Sequence, residues 1–196
     1  YSSHVVGLAA VRRAIMSPLP AGYTIGQVDV ATAFLQADMF PPDATPRYLR
    51  LFDPVAGTVR WFRQYGVIYG SCSAPARWQA TLHPWIESQG FIAGKNEPCA
   101  FYNPKTKVLL ESFVDDLIGR GPDQPVREFM KALAVRFKCK PPNYLTQDTP
   151  LDHLGMTFFR TSKGTYLSME NYINTMIHNL GLDTTKFRKV RTPISC

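Results

Sequence analysis

The stretch KVLLESFVDDLIGR (107–120) sets two adjacent carboxylates, Asp115 and Asp116, between two apolar runs. Val, Leu, Phe and Ile on either side favour extended chain, so the stretch reads as strand, tight acidic turn, strand. CAFYN (99–103) lies just upstream across the turn residues NPKT and predicts a hairpin with 107–114. Neighbouring carboxylates raise one another's pKa unless a cation or strong donors intervene. Two readings stay open: Asp suits hairpin turns because it tolerates their backbone angles and bonds locally, or the pair serves a metal site.

Working outward, TIGQVDV (24–30) alternates as a half-buried strand would, with Asp29 near its end, 86 positions before Asp115. If these strands are neighbours in one sheet, three carboxylates converge. Such a cluster is poor electrostatics alone and good around divalent cations, since Mg²⁺ takes a few carboxylates together with substrate phosphates. Two ions ~3.5–4 Å apart can activate an attacking hydroxyl and stabilise the leaving oxygen of a phosphoryl transfer.

The remaining pattern is mixed. HVVGLAAVRRAIM (4–16), SAPARWQATLHPWIESQG (73–90), PVREFMKALAVRF (125–137) and ENYINTMIHNLG (170–181) carry helical spacing; Ser73 is placed to cap the second, and Pro84 should kink it. RYLRLF (47–52) and VRWFRQY (59–65) flank the turn signal DPVAG, and LDHLGMTFFRT (151–161) pairs with GTYLSM (164–169) over SKG. Hairpins and meanders outnumber regular βα alternation, which predicts an α+β layer.

A chain of 196 residues with 45% hydrophobic and 19% charged residues is globular rather than disordered. Its net charge of +7 fits contact with a polyanion, nucleic acid above all, although many ordinary domains are as basic. No apolar run approaches the ~20 residues of a membrane span, and no signal peptide opens the chain. Cys72, Cys99, Cys139 and Cys196 show no CxxC or CxxH spacing, which argues against a zinc site or disulfide frame and fits a reducing compartment. Both ends read as cuts, so a piece of a longer polypeptide is expected.

Seven segments in order resemble the reverse transcriptases of copia-type LTR retrotransposons: QVDVATAFLQADM (27–39), YLRLFDP (48–54), VIYGSCSAPARWQATL (67–82), GFIAGKNEPCAFY (90–102), FVDDLIGRG (113–121), LDHLGMTFFRTSKGTYLSMENYI (151–173) and VRTPIS (190–195). The resemblance spans nearly all of 1–196 and departs from the family pattern at Ser71, Cys72, Ser73 and Ala76. It implies an α+β polymerase palm, an antiparallel ferredoxin/RRM-like sheet backed by helices, with part of the fingers.

On that resemblance Asp29, Asp115 and Asp116 are the catalytic and metal-binding acids, holding two Mg²⁺ ions (or Mn²⁺ in their place) that join a primer 3′-hydroxyl to a dNTP. The backbone at Val30 and Ala31, together with Phe34, Gly70 and Pro75, would meet the nucleotide. Phe34 either blocks a ribose 2′-hydroxyl or is an ordinary core aromatic. Arg77 and Arg120 would meet nucleic acid, as could Trp78, which packing explains equally well. The basic segments RFKCK (136–140) and KFRKVR (186–191) either face the duplex or are solvated. The implied partners are an RNA template, a DNA primer and dNTPs, with integrase fused upstream and RNase H downstream, no membrane, and a cytoplasmic virus-like particle with nuclear entry as the setting. The competing expectations are a decayed or domesticated copy that only binds nucleic acid, and an unrelated metal-dependent nuclease.

Overall fold

A computed structural model describes residues 4–182 of the chain. KFRKVR and VRTPIS, two of the segments singled out above, lie outside the described residues. The chain divides into two compact units, one ending at Tyr144 and one beginning at Leu145.

The first unit is built on an antiparallel sheet. Its strands are β1 (Tyr23–Asp29), β4 (Ile92–Ala93), β5 (Ala100–Asn103), β6 (Val108–Phe113), β7 (Asp116–Pro122) and β8 (Asn143–Tyr144), in the order β4-β5-β6-β7-β1-β8. β1 therefore sits between β7 and β8, and the strand–turn–strand expected around the acidic pair forms as β6 and β7. A second ribbon in this unit pairs β2 (Arg47–Asp53) with β3 (Thr58–Gln64).

One face of the main sheet carries the core. By alternation Val28, Leu117, Leu110 and Phe101 point the same way. They share one apolar cluster with Trp78, Leu82 and Ile86 of α2 (Ala74–Ser88) and Val126, Met130 and Leu133 of α3 (Asp123–Arg136). α2 begins after Ser73, which takes the N-cap place without making a side-chain cap hydrogen bond, and continues through Pro84 as one element. The face of α3 read from its spacing, Val126, Phe129, Met130 and Leu133, is the buried one. α3 approaches so closely that a Cβ on Gly119 would lie 3.0 Å from the Met130 terminal methyl, and on β1 a Cβ on Gly26 would lie 2.9 Å from the ring of its β8 neighbour Tyr144. A side chain at Gly26 would force the Tyr144 ring to move, and one at Gly119 would press on the flexible end of Met130.

The other face of the sheet is covered at one end by α1 (Leu8–Met16). Arg120, which alternation turns away from the core, donates its guanidinium hydrogens to the carbonyls of Ala14 and Pro18. Glu111 shares this face and is only 4% exposed, with one carboxylate oxygen lacking a hydrogen-bond partner. Burial foremost, then the charge of Glu97, pushes its carboxyl up to about 7 against the opposing pull of Arg13.

A folded-state pKa raised above the unfolded value near 4.5 means that stability is fully present below pH ~4.5 and lost as pH rises through about 7. Glu111→Gln should remove that slope. At pH 8 the variant should be more stable than the parent by about 1–3 kcal/mol, the difference vanishing near pH 4. Urea unfolding across this range checks it; parallel curves would assign the slope to another group.

The second unit holds β9 (Leu151–His153), β10 (Met156–Thr161) and β11 (Gly164–Ser168) in the order β11-β10-β9, followed by α4 (Glu170–Asn179). The single strand expected over 151–161 is thus two. Leu154 and Gly155 take φ of 52° and 75°, turning the chain so that Met156 pairs back with His153.

Candidate active site

Register brings the first acid to the third. Asp29 at the end of β1 lies directly opposite Asp116 at the start of β7, so the two side chains leave the same face of the sheet. Asp115 sits in the two-residue turn between β6 and β7, and its carbonyl accepts the Val30 N–H at 2.8 Å. That bond ties the turn to the chain just past Asp29. Asp29 and Asp116 share the face opposite the core, and Asp115 lies close enough for its charge to act on Asp116, although the three expected to converge do not form a ready three-ligand cluster.

The turn itself is held against its own preference. Val114 has φ of 57°, and a β-branched side chain seldom enters that region. A positive φ at the first loop residue alone is the II′ pattern, where glycine is usual. The indole N–H of Trp78, a fully buried residue of α2, donates to the Val114 carbonyl at 2.7 Å. With the Val30–Asp115 bond it clamps the turn from two sides. Strain of this kind persists only where the surroundings over-determine it, and it gathers at functional sites.

Burial and like charge act together at Asp116. The Asp116 carboxyl is pushed up, first by burial, then by the Asp115 and Asp29 charges, while the Gln27 side chain and Lys140 oppose the shift. Lys140 is the cation nearest to hand. Its ammonium lies 2.8 Å from Asp29 Oδ2, and its backbone N–H donates to the Asp29 carbonyl at 2.9 Å. The hydrogen bond to Asp29 and that residue's charge raise its pKa. Cys139, next to it, is pushed up to about 11 by burial and by the Asp29 charge, so its sulfur stays a thiol.

The segment after α3 is stitched to the segment after β1. Lys138 accepts the Ala31 N–H at 2.9 Å, and its own N–H donates to Gln36 Oε1 at 2.7 Å. Both amides expected to face a triphosphate, Val30 and Ala31, are therefore engaged within the chain and not free to donate to a phosphate. Phe34, in the short 3₁₀ turn Ala33–Gln36, rests its ring 5.0 Å from that of Tyr69. Gly70 has φ of 87° with no atom within 4 Å of a built Cβ, so backbone conformation, not crowding within the chain, calls for glycine.

Pro75 occupies the first turn of α2. Arg77 holds its guanidinium 4.9 Å from the Phe40 ring centroid, which Arg47 also approaches at 4.4 Å. Phe40, Pro41, Ser73 and these two arginines line a hollow of about 410 Å³. Arg120 stands apart: it is four residues from Asp116 along β7, under α1, with its donors engaged by Ala14 and Pro18. Sequence reasoning passed over Lys140 and Gln27 as partners of the acids, and it left the role of Trp78 open. Only Lys140 carried a signal, as one of the basic residues of RFKCK.

Among the described residues, no three or more His, Cys, Asp or Glu side chains are gathered closely enough to hold a metal ion by themselves. No described helix is long and apolar enough to cross a membrane. Cys72, Cys99 and Cys139 are unpaired.

Comparison with known proteins agrees with this architecture. Among curated proteins, the chain is 26% identical over 200 aligned residues to the retrovirus-related Pol polyprotein from transposon TNT 1-94 of Nicotiana tabacum. The match takes in 98% of this chain and 14% of that polyprotein, so the chain spans about one-seventh of its relative's length. Among solved structures, telomerase from Candida albicans, in complex with a fragment of telomeric RNA, superposes with a TM-score of 0.53 at 10% identity. The superposition covers 85% of this chain and 36% of that one, a likeness of fold. The sequence profile of the reverse transcriptase (RNA-dependent DNA polymerase) family matches residues 1–196 from end to end, and the chain belongs to that family.

Proposed function

We propose that this chain is the palm, with part of the fingers, of an RNA-directed DNA polymerase that adds dNTPs to a primer 3′-hydroxyl on an RNA template. The observation that carries the reading is the in-register pairing of Asp29 with Asp116, beside a clamped turn that presents Asp115. Asp29 and Asp115 would hold Mg²⁺ and Asp116 would support them. The donors fit: all are oxygens, and they already attract a cation, Lys140. The lack of a ready three-ligand cage suits an ion that keeps water and nucleotide phosphates among its ligands. Bound there, Mg²⁺ would lower the cost of charge developing at the reacting oxygens.

Trp78 and Val30 keep the Asp115 turn in place, which sets the distance between the acids. Lys140 balances their charge. Phe34 would meet the nucleotide sugar beside Tyr69, and Gly70 and Pro75 would border it. Arg77 would reach nucleic acid from the Phe40 hollow, whereas Arg120 is a structural bolt for α1. The Pol polyprotein relative supports a polyprotein setting; integrase upstream and RNase H downstream are part of this proposal.

The test is primer extension on an RNA template with Mg²⁺, using a longer polyprotein segment that contains this chain, with Asp115→Asn as control. Nucleic-acid binding without incorporation would favour a domesticated, non-catalytic copy. Cleavage without synthesis would favour a nuclease.

Lys140 offers a separate check on the electrostatics. Lys140→Met leaves three carboxylates uncompensated, so the variant should melt a few degrees lower than the parent in EDTA. Mg²⁺ should restore most of the loss. A deficit that Mg²⁺ leaves unchanged would mean that the lysine serves packing alone.

A further inference from the structure

The segment Lys138–Lys140 lies along the end of β1 as one more short edge. Cys139 bridges antiparallel to Val30, and two backbone bonds flank the bridge. The Ala31 N–H donates to the Lys138 carbonyl and the Lys140 N–H to the Asp29 carbonyl, each at 2.9 Å. Two such bonds are a weak attachment by themselves. Gln36, half-buried at the end of the 3₁₀ turn, supplies the rest. Its side-chain amide donates to the Ala31 carbonyl at 2.6 Å and to the Lys138 carbonyl at 3.0 Å, and it accepts the Lys138 N–H at 2.7 Å. Both amide hydrogens and the amide oxygen of one side chain thus join the two segments. Between the joined points the chain turns through Thr32, whose φ of 51° a β-branched residue seldom adopts. Such strain lasts only where the surroundings over-determine it, and Gln36 closes the loop across it.

We propose that Gln36 is a positioning residue: by clamping Lys138 to Ala31 it tethers the Lys140 ammonium at Asp29, so that a divalent ion reaches this acid only by displacing a held counter-ion. This role rests on the reading of Asp29 as a metal ligand under the proposed function, and Gln36 itself lies outside the acidic group. Lys140 meets Asp29 twice, by its backbone N–H and by its ammonium 2.8 Å from Oδ2. Its side chain is 65% exposed, so packing holds it little, and the course of the 138–140 backbone sets where the ammonium stands. The clamp is particular to glutamine. Asparagine is one methylene short of Lys138, and glutamate would set an acceptor against two carbonyls.

The test is a double-mutant cycle on the 196-residue chain without template, primer or dNTP, with Mn²⁺ as the probe and its EPR signal as the readout. Gln36→Met keeps the side-chain length and removes all three bonds. Water can replace them at this half-buried place, so circular dichroism should show the fold kept. Mn²⁺ should bind Gln36→Met about 2- to 5-fold more tightly than the parent, the size expected of one exposed ion pair. Lys140→Met should tighten binding at least as much, and adding Gln36→Met to it should change affinity less than about 1.5-fold. Asp29→Asn should weaken binding in every background, which locates the ion. In EDTA, acetic anhydride should label Lys140 about 2- to 5-fold faster in Gln36→Met than in the parent, with exposed Lys131 of α3 as internal reference. Gln36→Asn should repeat both effects. Equal Mn²⁺ affinity and equal Lys140 labelling in Gln36→Met and the parent would overturn the clamp. So would effects of the two substitutions that multiply, which would make Gln36 a staple of the Thr32 turn alone. Coupling without primer extension would leave the clamp standing and remove the polymerase reading; extension without coupling would do the reverse.

Discussion

Asp29→Asn is expected to cut nucleotide incorporation by at least ~10³-fold while leaving the protein folded. The fold is spared because Asp29 ends β1 with its side chain about one-third exposed, and its backbone bond to Lys140 survives the change. Removing one of three like charges also relieves the repulsion that raises Asp116, so the melting temperature should hold or rise slightly. Activity has no such relief. A carboxylate that holds a divalent ion contributes several kcal/mol to the transition state, and each 1.36 kcal/mol is tenfold in rate. Asp115→Asn should match it. Asp116→Asn should cost less, because burial and its neighbours already favour its protonated form. Single-turnover extension together with a melting curve checks all three, and incorporation within about tenfold of the parent in Asp29→Asn would remove this acid from the reaction.

The second large effect lies out of sight of any substrate. Trp78 is fully buried, packs edge-on to Phe137 with ring centroids 5.2 Å apart, and donates to the Val114 carbonyl. Trp78→Ala should lose about 3–5 kcal/mol from the cavity, with a further ~1 kcal/mol from the orphaned carbonyl. Against a typical total of about 5–15 kcal/mol, that leaves little folded protein at 37 °C. Trp78→Phe is the informative partner, because it keeps most of the volume and removes the N–H. It should cost about 1–2 kcal/mol and speed hydrogen exchange at the Asp115 turn, with incorporation falling while oligonucleotide binding holds. Equal exchange rates in the two proteins would mean that the indole bond does not hold the turn.

These two sites differ in how much of them can be read before folding. The strand–turn–strand at 107–120, the strand ending at Asp29 and the amphipathic face of α3 are local patterns, each written in residues a few positions apart. Long-range partners are a different matter. That β1 inserts between β7 and β8, with Asp29 opposite Asp116, depends on register across 87 positions, which a pattern of alternation leaves free. Lys140 reads as one more surface cation until the segment after α3 is laid along the end of β1. Arg120, read as a phosphate contact, becomes a bolt for α1 once alternation places it beneath that helix.

By itself the sequence determined the longer helices and hairpins, the acidic turn, the α3 core face and the family, but not the short strands β4 and β8 or the break between β9 and β10. Periodicity, turn chemistry and motif order all act over short separations. Tertiary structure alone decided which carboxylates share a face, which cation balances them, and that a buried indole holds Val114 in a backbone region its side chain disfavours. Those outcomes turn on which strands and side chains meet across the fold, and only the packing of the complete core selects them.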